Sequence, residues 1–229
     1  MPLRRFLVAL CLACPALAAA EGRLTEAETR WLDAAMPVLE AAREQGLPLD
    51  VAVQAQPQPG ASPVAMGYAG GRCKLVLAMR GNAQADTLLA GVPPHLETRV
   101  IEAMTAHELG HCWRYVRGAW NTLPDGFMEN VEDDSEPARQ WRDMRRTRRE
   151  EGYADLVGLA WTLKHHPKHY AEVHTWLAGV RAHPEVPGSH HDTRAWVRLA
   201  VDPGVFPSSG SAFERAWTVW LQGLAAPDE

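Results

Sequence analysis

Long apolar runs are missing from this chain of 229 residues once its first twenty are passed. A membrane-spanning helix needs about 18 or more consecutive apolar residues, so no later segment is expected to cross a bilayer. Cysteine is scarce: of the 4 present, Cys11 and Cys14 lie within the first twenty residues. That excludes a small scaffold held by several disulfides and leaves one possible pair, Cys73 and Cys112. A surplus of positive charge is lacking too. The formal net charge is −5, and removing Arg4 and Arg5 takes it to −7 (−5 − 2), which argues against nucleic acid as the main partner. Internal repeats and linker-like segments are absent, so residues 21–229 are expected to form a single domain with room for a sizeable core.

The first twenty residues have the pattern of a signal peptide. Arg4-Arg5 form the positive start and Phe6 to Leu17 a short apolar run. Ala16-Leu17-Ala18 and Ala18-Ala19-Ala20 are small-x-small cleavage sites. The expected mature protein is therefore secreted or periplasmic, without a transmembrane segment.

Proline is also absent between Leu96 and Val116, and Pro93-Pro94 form a natural boundary before that stretch. Inside it stands His107-Glu108-Leu109-Gly110-His111, an H-E-x-x-H motif. Histidines four apart on a helix lie one turn apart on one face, which lets two imidazoles reach one zinc ion. Glu108 is turned about 100° from His107 and can lie beside the metal as the general base. Ile101, Thr105, Leu109, Cys112 and Val116 fall on the opposite side as a mainly apolar stripe. Gly110 can admit a close-packed backbone.

A catalytic zinc takes three protein ligands. A third histidine six residues after His111 would make a metzincin, but Arg117 stands there. A glutamate from a second helix is the remaining common solution. Glu151, within Arg139 to Leu163, is the leading candidate, and Glu150 is its rival. Asp155 lies one turn beyond Glu151 and is expected to accept a ring N–H from a zinc-bound histidine. The alternative reading of Glu150 and Glu151 is plain pairing with Arg145, Arg146, Arg148 and Arg149.

The pair H-E-L-G-H and E-G-Y-A-D resembles the gluzincin metallopeptidases, especially those of the HtpX and CAAX-prenyl-protease type. The resemblance covers about residues 70–200 and implies a zincin-like domain that hydrolyses peptide bonds with Zn²⁺. It implies a downstream histidine and arginine as well. Ser189-His190-His191-Asp192-Thr193-Arg194 is the matching stretch here, without the family's proline and with a shorter spacing. His190 or His191, with Arg194, would then stabilise the oxyanion.

Beyond the motifs, helices are expected at Leu24 to Gln45, Ala171–Arg181, Thr193–Val201 and Ala212–Leu224. Strands are expected at Leu49 to Gln54, Val64 to Tyr68 and Cys73 to Met79, the last two around the hairpin signal Ala69-Gly70-Gly71-Arg72. The fold class that follows is α+β, mainly helical, with a small N-terminal antiparallel or mixed sheet. The strand Lys74–Met79 is the expected edge for holding an extended peptide. Cys112 is turned about 100° away from His111, so it should bond Cys73 and pin a strand to the zinc helix rather than bind metal. Asn121 to Pro137 is expected as an acidic surface loop, paired with the arginine-rich run that follows. His165, His166, His169, His174 and His183 are expected at the surface. Trp161, Trp176, Trp196 and Trp217 sit in apolar helical patterns and are expected in the core.

The composite expectation is a zinc endopeptidase acting on a peptide or protein substrate. Its rivals are an inactive, zinc-stabilised binding or chaperone-like protein and a histidine-rich metal carrier.

Overall fold

A computed structural model describes residues 23–129, 133, 135–184 and 186–225. The signal peptide expected at residues 1–20 lies outside the described residues, as does part of the acidic stretch before Pro137. Helix α1 (Glu26–Glu44) starts at a capping box, with the Thr25 hydroxyl and the Glu28 carboxylate each taking the other's backbone N–H. The helix continues through Pro37. Glu28 is fully buried, and Arg80 neutralises it at 2.7 Å.

Three strands follow: β1 (Leu49–Ala55), β2 (Val64–Ala69) and β3 (Arg72–Arg80). Gly70 and Gly71 both have positive φ, 58° and 77°, as a two-residue hairpin turn requires. β2 and β3 pair antiparallel, while β1 pairs parallel with the other side of β3. The sheet is therefore mixed, in the order β1-β3-β2. This corrects the expectation that Lys74–Met79 offers a free edge. Those residues are in the central strand, bonded on both sides, and the outer strands are β1 and β2. The reason is the apolar pattern of β3, whose Cys73, Leu75, Leu77, Ala78 and Met79 are all buried.

The rest is helical. Helices α2 (Glu97–Val116) and α3 (Glu136–His165) form the central pair, followed by α4 (Tyr170–Arg181), α5 (Arg194–Leu199) and α6 (Ala212–Leu224). The α2–α3 contact is unusually close. A Cβ on Gly110 would stand 3.0 Å from the Ala154 Cα, and one on Gly158 only 2.7 Å from the Ala103 carbonyl oxygen. Small residues at both crossing points bring the two helix backbones together, which fixes the spacing between any side chains the helices share. The Tyr153 hydroxyl donates to the Phe213 carbonyl at 3.1 Å and ties α3 to α6. Trp161 and Trp196 are buried in the core, and Trp176 and Trp217 pack against it. His174 departs from its expected surface position: it is buried, and its Nε2 donates to the Val197 carbonyl. That bond meets the polar requirement that otherwise keeps histidine outside.

Cys73 of β3 and Cys112 of α2 are joined by a disulfide. The bond fastens the central strand to the helix of the H-E-x-x-H motif, one residue after His111. No helix among the described residues is long and apolar enough to cross a membrane.

Candidate metal centre

His107 and His111 project from one face of α2 with their Nε2 atoms 3.2 Å apart. Glu151 reaches toward them from α3, its Oε2 3.4 Å from His107 Nε2 and its Oε1 3.4 Å from His111 Nε2. The three side chains offer ligand atoms within 4.8 Å of one another, and among the described residues no other such group occurs. His111 is buried, and the other two are partly buried at the wall of a cleft.

The donor set suits a cation. His107 Nδ1 is 2.9 Å from Asp155 Oδ1. An ionised carboxylate there takes the ring's N–H and leaves Nε2 as the lone-pair nitrogen. That lone pair faces a carboxylate and a second imidazole nitrogen, so acceptors converge on one point. Ligand atoms at about 2.0–2.1 Å around a tetrahedral zinc stand about 3.3–3.4 Å from each other. The separations of 3.2, 3.4 and 3.4 Å fit that spacing. With no cation bound, burial opposes charge on His107. Its hydrogen bonds to Asp155 and Glu151 prevail and raise its pKa to about 10. The same pairing holds Glu151 well below the usual carboxylate range, against the upward push of burial.

Asp155 is the hub behind the histidines. Arg181, from the end of α4, donates to both of its oxygens at 2.9 and 2.8 Å, and the Thr193 hydroxyl donates to Oδ2. Burial alone would raise its pKa, but Arg181 and the His107 hydrogen bond push it far down. Asp155 is therefore a fixed negative charge against the His107 ring. Arg181 and Thr193 escaped sequence reasoning because they lie 26 and 38 residues from their partner. The available signal was indirect: a buried carboxylate in an apolar helix demands a cation.

Glu108 sits on the cleft wall beside the histidines. Burial raises its pKa, while His107, His111 and a hydrogen bond from the Met66 N–H of β2 pull the other way. Glu150, the rival of Glu151, points elsewhere. It takes two hydrogen bonds from Arg114, each 2.8 Å, with both side chains buried. It also accepts the Asn121 N–H at 2.9 Å. Neither glutamate pairs as the arginine-run alternative supposed. Arg146 and Arg149 instead bind Glu129, at 2.6 and 3.0 Å, as charge pairing with the acidic loop requires.

The downstream stretch divides. His191 lines the cleft, with Nε2 4.0 Å from Glu151 Oε2. Its side chain is still 57% exposed, and its partial burial lowers its pKa. His190 is exposed, its ring centroid 4.1 Å from that of His191. Arg194 binds Asp192 at 2.7 and 2.9 Å. Neither His190 nor Arg194 lines the cleft.

Sequence reasoning also missed the aromatic wall. Tyr68 of β2, Tyr115 and Trp120 stack in series at 5.1 and 4.0 Å, and Trp120 meets the His111 ring edge-on at 5.4 Å. Tyr115 and Trp120 line the cleft, which has a volume of about 540 Å³. No family model, no curated protein and no solved structure matches this chain.

Proposed function

We propose that the chain is an exported zinc-dependent endopeptidase of gluzincin type with a zincin-like fold. The observation that carries this reading is the convergence of His107, His111 and Glu151 on one point, with Glu108 beside them in an open cleft. His107, His111 and Glu151 would hold the zinc. A bound zinc acidifies a water and polarises a carbonyl.

The remaining work belongs to the chain. Glu108 takes a proton from the attacking water as its oxygen bonds to the scissile carbonyl carbon. It then gives that proton to the amide nitrogen as the C–N bond breaks, so one water is divided between two products. A carboxyl whose pKa burial has raised is suited to both transfers. Asp155, kept ionised by Arg181, fixes the tautomer and orientation of His107. Of the downstream stretch, His191 lines the cleft and would stabilise the oxyanion. The outer strand β2 lines the cleft through Val64, Ala65 and Met66. It can hold an extended peptide by strand addition. The pattern of the first twenty residues and the Cys73–Cys112 bond support a secreted or periplasmic location.

The test pairs two variants. Glu108→Gln should retain zinc and fold but lose about 10²–10⁴ in hydrolysis rate. Glu151→Ala should lose zinc in elemental analysis. Undiminished cleavage of a peptide library by the first, or full zinc occupancy in the second, overturns the proposal.

A further inference from the structure

The cleft does not end at the convergent side chains. Helix α4 contributes Val173, Trp176, Leu177, Val180 and Arg181 to its wall. These positions run i, i+3, i+4, i+7 and i+8, which is one continuous face of a helix. Arg181, at the end of the stripe, is the residue that clamps Asp155 behind His107. The apolar stripe thus begins at the metal centre and leads away from it.

The opposite wall is apolar as well. Met104, on the His107 face of α2, and Leu88 complete it together with the small Ala103. Val173 and Leu177 are buried, yet Val180 is 54% exposed at the mouth. A face of this composition would ordinarily be sealed in a core. Here it borders a cavity of about 540 Å³, within the size range of sites that take organic ligands, about 300–1,000 Å³. Arg181 is held by Asp155 and Glu151, and Glu151 by the histidines, while Glu108 lies on the cleft wall beside them. The stripe itself, Val173, Trp176, Leu177 and Val180, carries no charge to compensate an incoming one.

We propose that the α4 stripe is a specificity pocket. It takes a bulky apolar side chain, of the leucine, methionine or phenylalanine class, from a residue flanking the bond to be cut. The proposal rests on the peptidase reading for the role of the site, but binding alone tests it. Burying a leucine-sized side chain in such a pocket, against leaving only a methyl group, should favour binding by about 10- to 100-fold. Lysine or aspartate at the same place should bind no better than alanine.

The experiment uses the zinc-loaded Glu108→Gln protein, which consumes its ligand about 10²–10⁴-fold more slowly. Blocked pentapeptides with alanine at four places and leucine, phenylalanine, alanine, lysine or aspartate at the centre are titrated. Fluorescence of Trp120 and Trp176, both in the cleft, reports binding. The leucine and phenylalanine peptides should bind at least about 10-fold more tightly than the others. Adding Val180→Asp should abolish that preference. The position is half exposed, so the fold does not depend on it. Equal affinity across the series, no binding of the leucine peptide at millimolar concentration, or an unchanged preference in Val180→Asp would each overturn the pocket. A wild-type protein that binds the apolar peptides selectively but cleaves none would support the pocket and reject the peptidase reading instead.

Discussion

Replacing Gly158 with alanine should weaken both the fold and the metal centre. The new Cβ would stand 2.7 Å from the Ala103 carbonyl oxygen, where ordinary contact begins at 3.4 Å. The obstacle is helix backbone, which cannot swing aside as a flexible side chain can. α2 and α3 must therefore separate by about 0.7 Å, the difference between those distances. Overpacking of this kind costs about 1–3 kcal/mol. Alanine's better helix propensity returns about 1 kcal/mol. The net loss should be about 0–2 kcal/mol, a modest change that conceals a larger local one. His107 is one turn from Ala103 on α2, and Glu151 is two turns before Gly158 on α3. Ligand distances tolerate only about 0.2 Å of error, so zinc affinity should fall at least about 10-fold, the lower end of what disturbed ligand support costs. Urea unfolding followed by circular dichroism measures the first effect, and competition with a chromophoric chelator measures the second. Gly179→Ala on α4 is the internal control, because a Cβ added there would have nothing within 4 Å. It should gain up to about 1 kcal/mol and leave zinc affinity unchanged. If Gly158→Ala were equally stabilised, with wild-type zinc affinity, the claim that backbone contact sets the ligand spacing would be wrong.

Two more outcomes are expected. Replacing both Cys73 and Cys112 with alanine opens a loop spanning 39 residues, and loop-closure entropy puts the stability loss at about 4 kcal/mol. Denaturant titration reads this, and mass spectrometry of non-reduced peptides from wild-type protein should recover the linked pair; two freely alkylated thiols would count against the bond. Asp155→Asn keeps a hydrogen-bonding group beside His107 but removes the charge, so zinc affinity should drop about 10- to 100-fold. Wild-type affinity in a chelator titration would remove Asp155 from the support of the metal centre.

Local spacing made much of the fold legible. The interval of His107 to His111, and that of Glu151 to Asp155, each put two groups on one helical face, and the two faces meet. Gly70-Gly71 marked the hairpin, and Cys112 was turned away from the His107–His111 face by helix geometry alone. What remained hidden depended on partners distant along the chain. The sheet order turns on β1 choosing the far side of β3, a pairing that no turn signal records. Glu150 and Glu151 are neighbours with equal local claims, and only Arg114, 36 residues away, separates their roles. His174 reads as a surface histidine until the Val197 carbonyl is seen to accept a hydrogen bond from its ring N–H. Arg181 ends an amphipathic helix, and its spacing distinguishes it from no other arginine.

The dependence of Asp155 on Arg181 and Thr193 bears on how the protein matures. The motif helices are complete by residue 165, but the hub that holds them is closed by side chains at 181 and 193. During synthesis the ribosome must release nearly the whole chain before that closure can occur. The two histidines and Glu151 thus emerge before the side chains that order them, and a truncated product ending before residue 181 would carry both motifs without the clamp that supports them.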